Sequence, residues 1–352
     1  MSGFTLRSRG YRLAGIRHTA DISTLWTFGR NGGGLGEVKW QMDLPPDFDH
    51  PALQAGALVD VMDSGMVVGQ AILGEPGRTE QGLEFVANGI YRGAERFLCF
   101  NAALESTTRA DAAIDTAIGY GLPWKRPNSI SNSALKTTDI SDSLNTLDQL
   151  LSSLAEELGQ YWRIDRNGVV VMEAAPTVPT WNLVPGFAYP GVDDIDYASH
   201  LFGRYVSGAA LATREVQDAP ASARWGYRQF GVDMTALGSI SDARVDNRLN
   251  GLLKRGRARL RFTERLEVSP TDLLTAGGRP ASLSMVRGGQ VVRVHGLNSY
   301  SQWLNGNPYL DFVIGEASWA NGASSMTIAP LDFSGKSLTD RLTVNAPSNL
   351  KP

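Results

Sequence analysis

Two short stretches decide how this chain is read: Val67-Val68-Gly69-Gln70-Ala71, and Val313-Ile314-Gly315-Glu316-Ala317 close to the other end. Each runs apolar, apolar, glycine, long amide or acid, alanine. An apolar strand leads into each copy, Ala57-Leu58-Val59-Asp60-Val61 in the first case and Gly289-Gln290-Val291-Val292-Arg293-Val294 in the second. An alternating strand follows each, Gly82-Leu83-Glu84-Phe85-Val86-Ala87 and Ser324-Ser325-Met326-Thr327-Ile328-Ala329. One small β-module therefore occurs twice, with a mixed segment between the copies. A glycine inside a strand marks a bulge or a close backbone approach, so Gly69 and Gly315 are expected at the same bend of equivalent strands.

The bulk composition suits a folded globular protein, with 42% hydrophobic and 20% charged residues. A chain of 352 residues exceeds one typical domain, so two or three are expected. The 38 glycines and scarce lysines fit many short strands and tight turns. With 33 basic against 36 acidic residues the net charge is −3, which argues against a polyanion-binding protein as a whole. Cys99, the sole cysteine, rules out an internal disulfide and a thiolate zinc site, and in Phe97-Leu98-Cys99-Phe100 it reads as a small buried apolar residue. No run approaches the ~20 apolar residues needed to cross a bilayer. The stretch Met1 to Arg7 lacks the apolar core of a signal peptide. The chain is expected to be made and soluble in a cytoplasm, without stable membrane insertion.

The first hundred residues read as strands, among them Tyr11 to Ile16, Leu25 to Phe28 and Val38 to Leu44. Gly29-Arg30-Asn31-Gly32-Gly33-Gly34-Leu35-Gly36 could cradle a phosphate on bare backbone amides, but no Lys-Ser or Lys-Thr follows. Glu37-Val38-Lys39-Trp40 continues as strand, so a flexible hairpin loop is expected. Pro45-Pro46-Asp47-Phe48 breaks the sheet, and Asp63-Ser64-Gly65 joins two strands of the first module. Beyond Phe100, Thr108-Arg109-Ala110-Asp111 is a candidate capping box for a helix whose face carries Ala110, Ala113, Ile114, Ala117 and Ile118, stopped by Gly119 to Pro123. Pro127 to Ser133 reads as loop. Leu144, Leu147, Leu151, Leu154 and Leu158 recur at helical spacing, with Ser141 or Asp142 as cap and Gly159 as stop.

Tyr161 to Asp165, the turn Arg166-Asn167-Gly168 and Val169 to Glu173 form a hairpin, for which Asn-Gly between strand runs is a strong signal. Pro176 to Pro190 reads as an extended connector, and Tyr197 to Leu211 as strand bent at Gly203 and Gly208. A third helix, Asp242 to Gly256, puts Val245, Leu249, Leu252 and Leu253 on one side. Arg259 to Phe262 and Leu266 to Val268 return to strand, and the second module runs to Phe333. The fold class is mainly β with an α+β middle: two small pseudo-equivalent β-barrel modules, residues 1–105 and 263–334, flank a helix-and-hairpin region at 106–262. Residues 335–352 read as a mobile tail or an arm that orders on a partner.

Residues with catalytic chemistry do not assemble in the sequence. His18, His50, His200 and His295 lack the i, i+4 spacing of a helical metal site, and His295 reads as an ordinary residue at a strand end. Asp193-Asp194-Ile195-Asp196 lacks the glycine and distal glutamate of a calcium loop and reads as a solvated loop or helix cap. Lys254 to Arg261 is the one dense basic run. It lacks the interleaved aromatics of a single-strand groove and straddles a helix end, so a solvated or ion-paired face is expected. No Gly-x-Ser-x-Gly elbow or Ser/His/Asp arrangement is present. No catalytic, cofactor-binding or metal-binding residue is nominated, and a non-enzyme is expected. Eight tryptophans and scattered carboxylates motivate a second reading, a carbohydrate-binding or carbohydrate-active β-protein.

The element order resembles that of hub proteins at the tail tip of long-tailed bacteriophages, the baseplate hub or tail-associated family, and especially minor tail proteins of phages infecting actinobacteria. The carrying residues are Trp26-Thr27-Phe28 with the Gly-rich turn, Leu44-Pro45-Pro46-Asp47-Phe48 and the Val67 to Ala71 module. With them go the Leu144 to Leu158 helix running into Tyr161 to Gly168, and the final module through Leu331-Asp332-Phe333. The resemblance covers most of the chain through order and pattern. It implies a homotrimer whose six barrels form a ring between a six-fold tail tube and three-fold tip structures. Its partners would be the distal tail protein, the tape-measure protein and tail-fibre or other tip proteins, with DNA only passing through the channel, and its place would be the virion. Some relatives carry a peptidase or lysin domain after the hub fold, and none is expected here. A host-receptor role at the tail tip would combine the hub and carbohydrate readings.

Overall fold

The computed structural model describes residues 3–80, 82–99, 110–126, 146–184, 192–194, 197–256, 260–262, 265–297 and 308–331. The sequence-predicted capping box at Thr108, the loop from Pro127, the caps Ser141 and Asp142, and the arm at 335–352 lie outside these residues.

Both pentapeptides sit in the middle strand of an antiparallel meander. The first belongs to strand Met66–Leu73, flanked by Leu58–Asp63 and Gly82–Gly89. The second belongs to Leu310–Ala320, flanked by Val291–Val294 and Met326–Pro330. The order of burial is the same in each copy: half-buried, buried, buried, half-buried, buried. Two successive buried residues break the two-residue alternation of a strand, and a bulge restores its phase. The first bulge interrupts pairing with the preceding strand, between Val61 and Met62, while the second interrupts pairing with the following strand at Gly315. A Cβ on Gly69 would lie 2.8 Å from Trp26 Cη2, and one on Gly315 would lie 2.9 Å from the Leu331 Cα and the Pro330 carbonyl oxygen.

The two modules are not separate sheets. Strand Thr19–Thr27 pairs with Leu310–Ala320, Trp26 opposite Ala317 and Thr27 opposite Glu316, and so joins them into one sheet of fourteen strands. A single core cluster runs through both, from Phe4, Trp40 and Phe85 to Trp181, Phe262 and Ile328. The fold is thus mainly β, as expected, but the strand ladder does not close into a barrel among the described residues. In its place a side chain reaches across: Asn321 accepts from the Phe4 N–H at 2.9 Å and donates to the Phe4 carbonyl at 2.8 Å, tying the first strand to the end of Leu310–Ala320.

The helices follow their apolar periodicity. Leu147–Leu158 is capped by Thr146, whose N–H donates to Gln149 Oε1 at 3.1 Å, and ends at Gly159 in the left-handed region, φ 63°. Its start is later than the leucine pattern implied, because a capping box at Thr146 satisfies the first amides. Ala110–Gly119 buries Ala110, Ala113, Ile114 and Ala117. Both pack with the hairpin Tyr161–Ile164 and Val170–Glu173 into a second core around Trp162. A third core holds Asp242–Gly256, with Val245, Leu249, Leu252 and Leu253 buried, against His200–Ser207. That strand belongs to a three-stranded sheet with Ala210–Gln217 and Gln229–Asp233. Helix Leu147–Leu158 meets helix Asp242–Gly256 across a buried ion pair, Arg248 Nη1 to Glu156 Oε2 at 3.8 Å, and Arg248 Nη2 also donates to Ser153 Oγ at 2.7 Å.

Four expectations need correction. Tyr11 to Ile16 is strand only at Tyr11–Arg12, because the turn at Arg9-Gly10 leaves two residues paired before a single helical turn, Leu13–Ile16, begins. The Pro176 to Pro190 connector contains strand Trp181–Leu183, which lies between Leu273–Thr275 and Val291–Val294 and buries Trp181 in the main core. Tyr197 to Leu211 is two antiparallel strands, Gly208 lying in the turn between them at φ 62°. Asp193 and Asp194 are neither loop nor cap: they lie in strand Val192–Asp194, in register with Arg261 and Leu260 of the basic run.

Candidate functional site

The Gly-rich stretch is the expected hairpin connection, joining the antiparallel strands Thr19–Thr27 and Gly34–Met42, but it is not free. It is where the hairpin docks. The Ile164 N–H donates to the Gly33 carbonyl at 2.9 Å. A Cβ on Gly32 would lie 2.6 Å from Trp162 Cζ2, and one on Gly34 would lie 2.8 Å from the Ile164 carbonyl oxygen. Bare backbone here admits a tryptophan and a strand, not a phosphate. Trp162 is anchored in turn, donating from Nε1 to Ser152 Oγ at 3.0 Å and lying edge-on to Tyr91.

On the other side of strand Thr19–Thr27 the second module closes in. The Phe28 N–H donates to the Gly315 carbonyl at 2.7 Å, and Gly289 N–H donates to the Ile314 carbonyl at 2.8 Å. Gln290 ties this corner together, its Oε1 accepting from Trp181 Nε1 and from the Arg287 N–H, both at 2.8 Å. The motif residue Gln70 donates to Asp60 Oδ1 at 2.8 Å, while Asp60 Oδ2 takes the Arg7 guanidinium at 2.8 Å.

Between the first module, the hairpin and the Arg287 to Gln290 corner lies a cavity of about 380 Å³, bordered by Trp26, Gln70, Tyr91, Arg163, Arg166 and Arg287 among others. Two acids line it as well, Asp165 and Glu173. Glu173 is engaged by Arg163 at 2.6 Å. Asp165 Oδ1 accepts from the Asn167 and Val169 amides at 2.8 and 2.9 Å, which holds the hairpin turn. Arg287 lies over the Trp26 ring, its Cζ 4.7 Å from the centroid. Its Nε is buried without a hydrogen-bond acceptor among the described residues. Burial lowers the pKa of Arg287 from its ordinary value, with Asp63 opposing that and Arg166 adding to it.

The histidines are placed apart, and three of the four hold local structure. His50 accepts from the Ala52 N–H at 3.1 Å, His200 lies 3.1 Å from Gln217 Oε1, His295 lies 2.9 Å from Asn182 Oδ1, and His18 is exposed. No group of acids, histidines or cysteine among the described residues could hold a metal ion. Burial pushes the Cys99 thiol up to about 12, so it carries no thiolate at neutral pH. Trp40, Trp124, Trp162, Trp181 and Trp319 are buried in the cores, where stacking on a sugar is closed to them, and Trp26, which borders the cavity, has one face covered by Arg287. No described helix is long and apolar enough to cross a membrane. Sequence reasoning singled out neither Arg163, Arg166 and Arg287 nor Glu173. The only local signals were arginines beside the Asn-Gly turn and one before Gly288-Gly289.

This arrangement of one fourteen-stranded sheet, a docked helix-and-hairpin core and a third αβ core is similar in fold to three solved phage tail proteins. The 43 kDa tail protein of prophage MuSo2 from Shewanella oneidensis superposes with a TM-score of 0.58 at 13% identity, covering 94% of this chain and 98% of that one. A tail protein from Neisseria meningitidis MC58 gives 0.56 at 14% identity, covering 93% and 95%. Prophage tail protein gp18 from Listeria monocytogenes EGD-e gives 0.54 at 12% identity, covering 87% of each chain. No family model matches the chain, and no curated protein matches it in sequence.

Proposed function

We propose that this chain is a structural component of a long-tailed phage tail tip. It forms a hub ring, three copies presenting six like β-modules, that joins the tail tube to tip or fibre proteins around the DNA channel. The carrying observation is the likeness of fold to tail proteins over nearly the whole length of both chains. The internal repeat supports the ring. Two meanders whose central strands share one burial order are the kind of internal repeat that a three-fold assembly with pseudo-six-fold symmetry would use. The distal tail protein, the tape-measure protein and tail-fibre proteins are its partners in this reading, DNA only passes through, and its place is the virion. The role is non-enzymatic. Light scattering coupled to gel filtration, with negative-stain imaging, tests the ring: the expected mass is three times the 38.0 kDa of one chain. A monomer at every concentration, with no ring in images, would sink the hub assignment.

A further inference from the structure

We propose that the cavity between the modules is a carboxylate-binding site, in which Arg287 and Arg166 grip an acidic group beside the face of Trp26. Three arginines and two acids line the cavity, and the charge of Asp63 also reaches Arg287. The acids are already used, Glu173 by Arg163 and Asp165 by the hairpin turn. Arg166 and Arg287 border the space and form no ion pair among the described residues, Asp63 acting on Arg287 only at longer range. The Arg287 Nε is closed off and has no acceptor among the described residues, so a ligand oxygen in the cavity is met by the terminal guanidinium nitrogens. Trp26 holds the Arg287 fork from one side, which leaves its remaining donors for a planar acceptor.

Arg163 and Glu173, at 2.6 and 3.4 Å, already show a carboxylate seated on a guanidinium fork of the same wall. The cavity of about 380 Å³ lies at the small end of ligand sites, room for one acidic side chain or a short dicarboxylate.

The test is calorimetric titration of the full chain with succinate, and separately with a tripeptide, acetyl-Gly-Glu-Gly-amide, ionic strength being held with sodium chloride. The expected result is saturable binding of at least one probe at one site per chain. Arg166→Gln, at an exposed position, should weaken it about tenfold or more, as loss of a charged hydrogen bond does. Arg287→Gln should abolish it. If Arg287→Gln does not fold, Arg166→Gln and the charge reversal Arg166→Glu decide the matter alone. Tighter binding of the tripeptide supports the site and assigns the acid to a protein segment, and tighter binding of succinate supports it and assigns a free small carboxylate. No saturable heat with either probe, or an affinity unchanged in both Arg166 variants, overturns the proposal.

Discussion

The buried pair Arg248–Glu156 joins two cores and can be broken cleanly. Their side chains are 3% and 5% exposed, and the charged atoms stand 3.8 Å apart between helices Leu147–Leu158 and Asp242–Gly256. At an effective dielectric of about 20, two unit charges at that separation attract by roughly 4 kcal/mol. Glu156→Leu removes the buried carboxylate from the Arg248 guanidinium, which keeps its bond to Ser153 and its other contacts, so a loss of about 3–5 kcal/mol is expected. Arg248→Met leaves the Glu156 carboxylate buried and should cost a similar amount. The double variant Glu156→Leu/Arg248→Met removes both desolvation costs and should return to within about 1 kcal/mol of the parent protein. Hydrogen exchange read on peptides from the two helices gives the local opening free energy of this junction for all four proteins, and hence the coupling between the residues. If the two single losses simply add in the double variant, the side chains do not act as a pair and the account of this junction is wrong.

The two motif glycines should fail for different reasons. Gly315→Ala drives a Cβ into backbone at 2.9 Å, whereas Gly69→Ala meets the edge of a tryptophan side chain at 2.8 Å. Urea denaturation should show a loss of about 1–3 kcal/mol at both, larger at Gly315, where the ladder itself must shift. The Arg214–Asp246 contact sets a pH dependence: the hydrogen bond from Arg214 holds the Asp246 carboxyl below its ordinary 3.8, partial desolvation opposing and the charge of Arg214 reinforcing. A depressed folded value means this stabilisation is present above 3.8 and is lost as pH falls through the lower folded value. In an acid titration followed by melting temperature, Asp246→Asn should therefore lower stability at neutral pH and flatten the decline on acidification. An unchanged acid limb would remove the pair from the account.

Much of the fold was legible in local patterns. Helix Asp242–Gly256 and its buried Val245, Leu249, Leu252 and Leu253 follow from spacing alone, as does the hairpin around Asn167-Gly168. Both signals act over a few residues, between side chains one turn apart or across the three-residue turn Arg166-Asn167-Gly168 closed by Asp165 and Val169. The repeated pentapeptide was readable as the middle strand of each module, but the two glycines do not mark the same bend: the first bulge interrupts pairing with the preceding strand and leaves Gly69 opposite Val61, and the second interrupts pairing with the following strand at Gly315. Of the cavity almost nothing was visible, since Trp26, Arg163, Arg166 and Arg287 are brought together by three separate parts of the chain.

What the sequence by itself determined is the identity of these local units and their order, because propensity, caps and periodicity are settled between near neighbours. Tertiary structure alone decided that the two modules share one sheet through Trp26 and Ala317, and that Trp181–Leu183 leaves the connector to become a strand. It also decided that the Gly-rich turn receives Trp162. Pairings between distant segments leave no period in the chain. They are chosen by which apolar faces and unpaired backbone groups remain to be covered once the local units have formed.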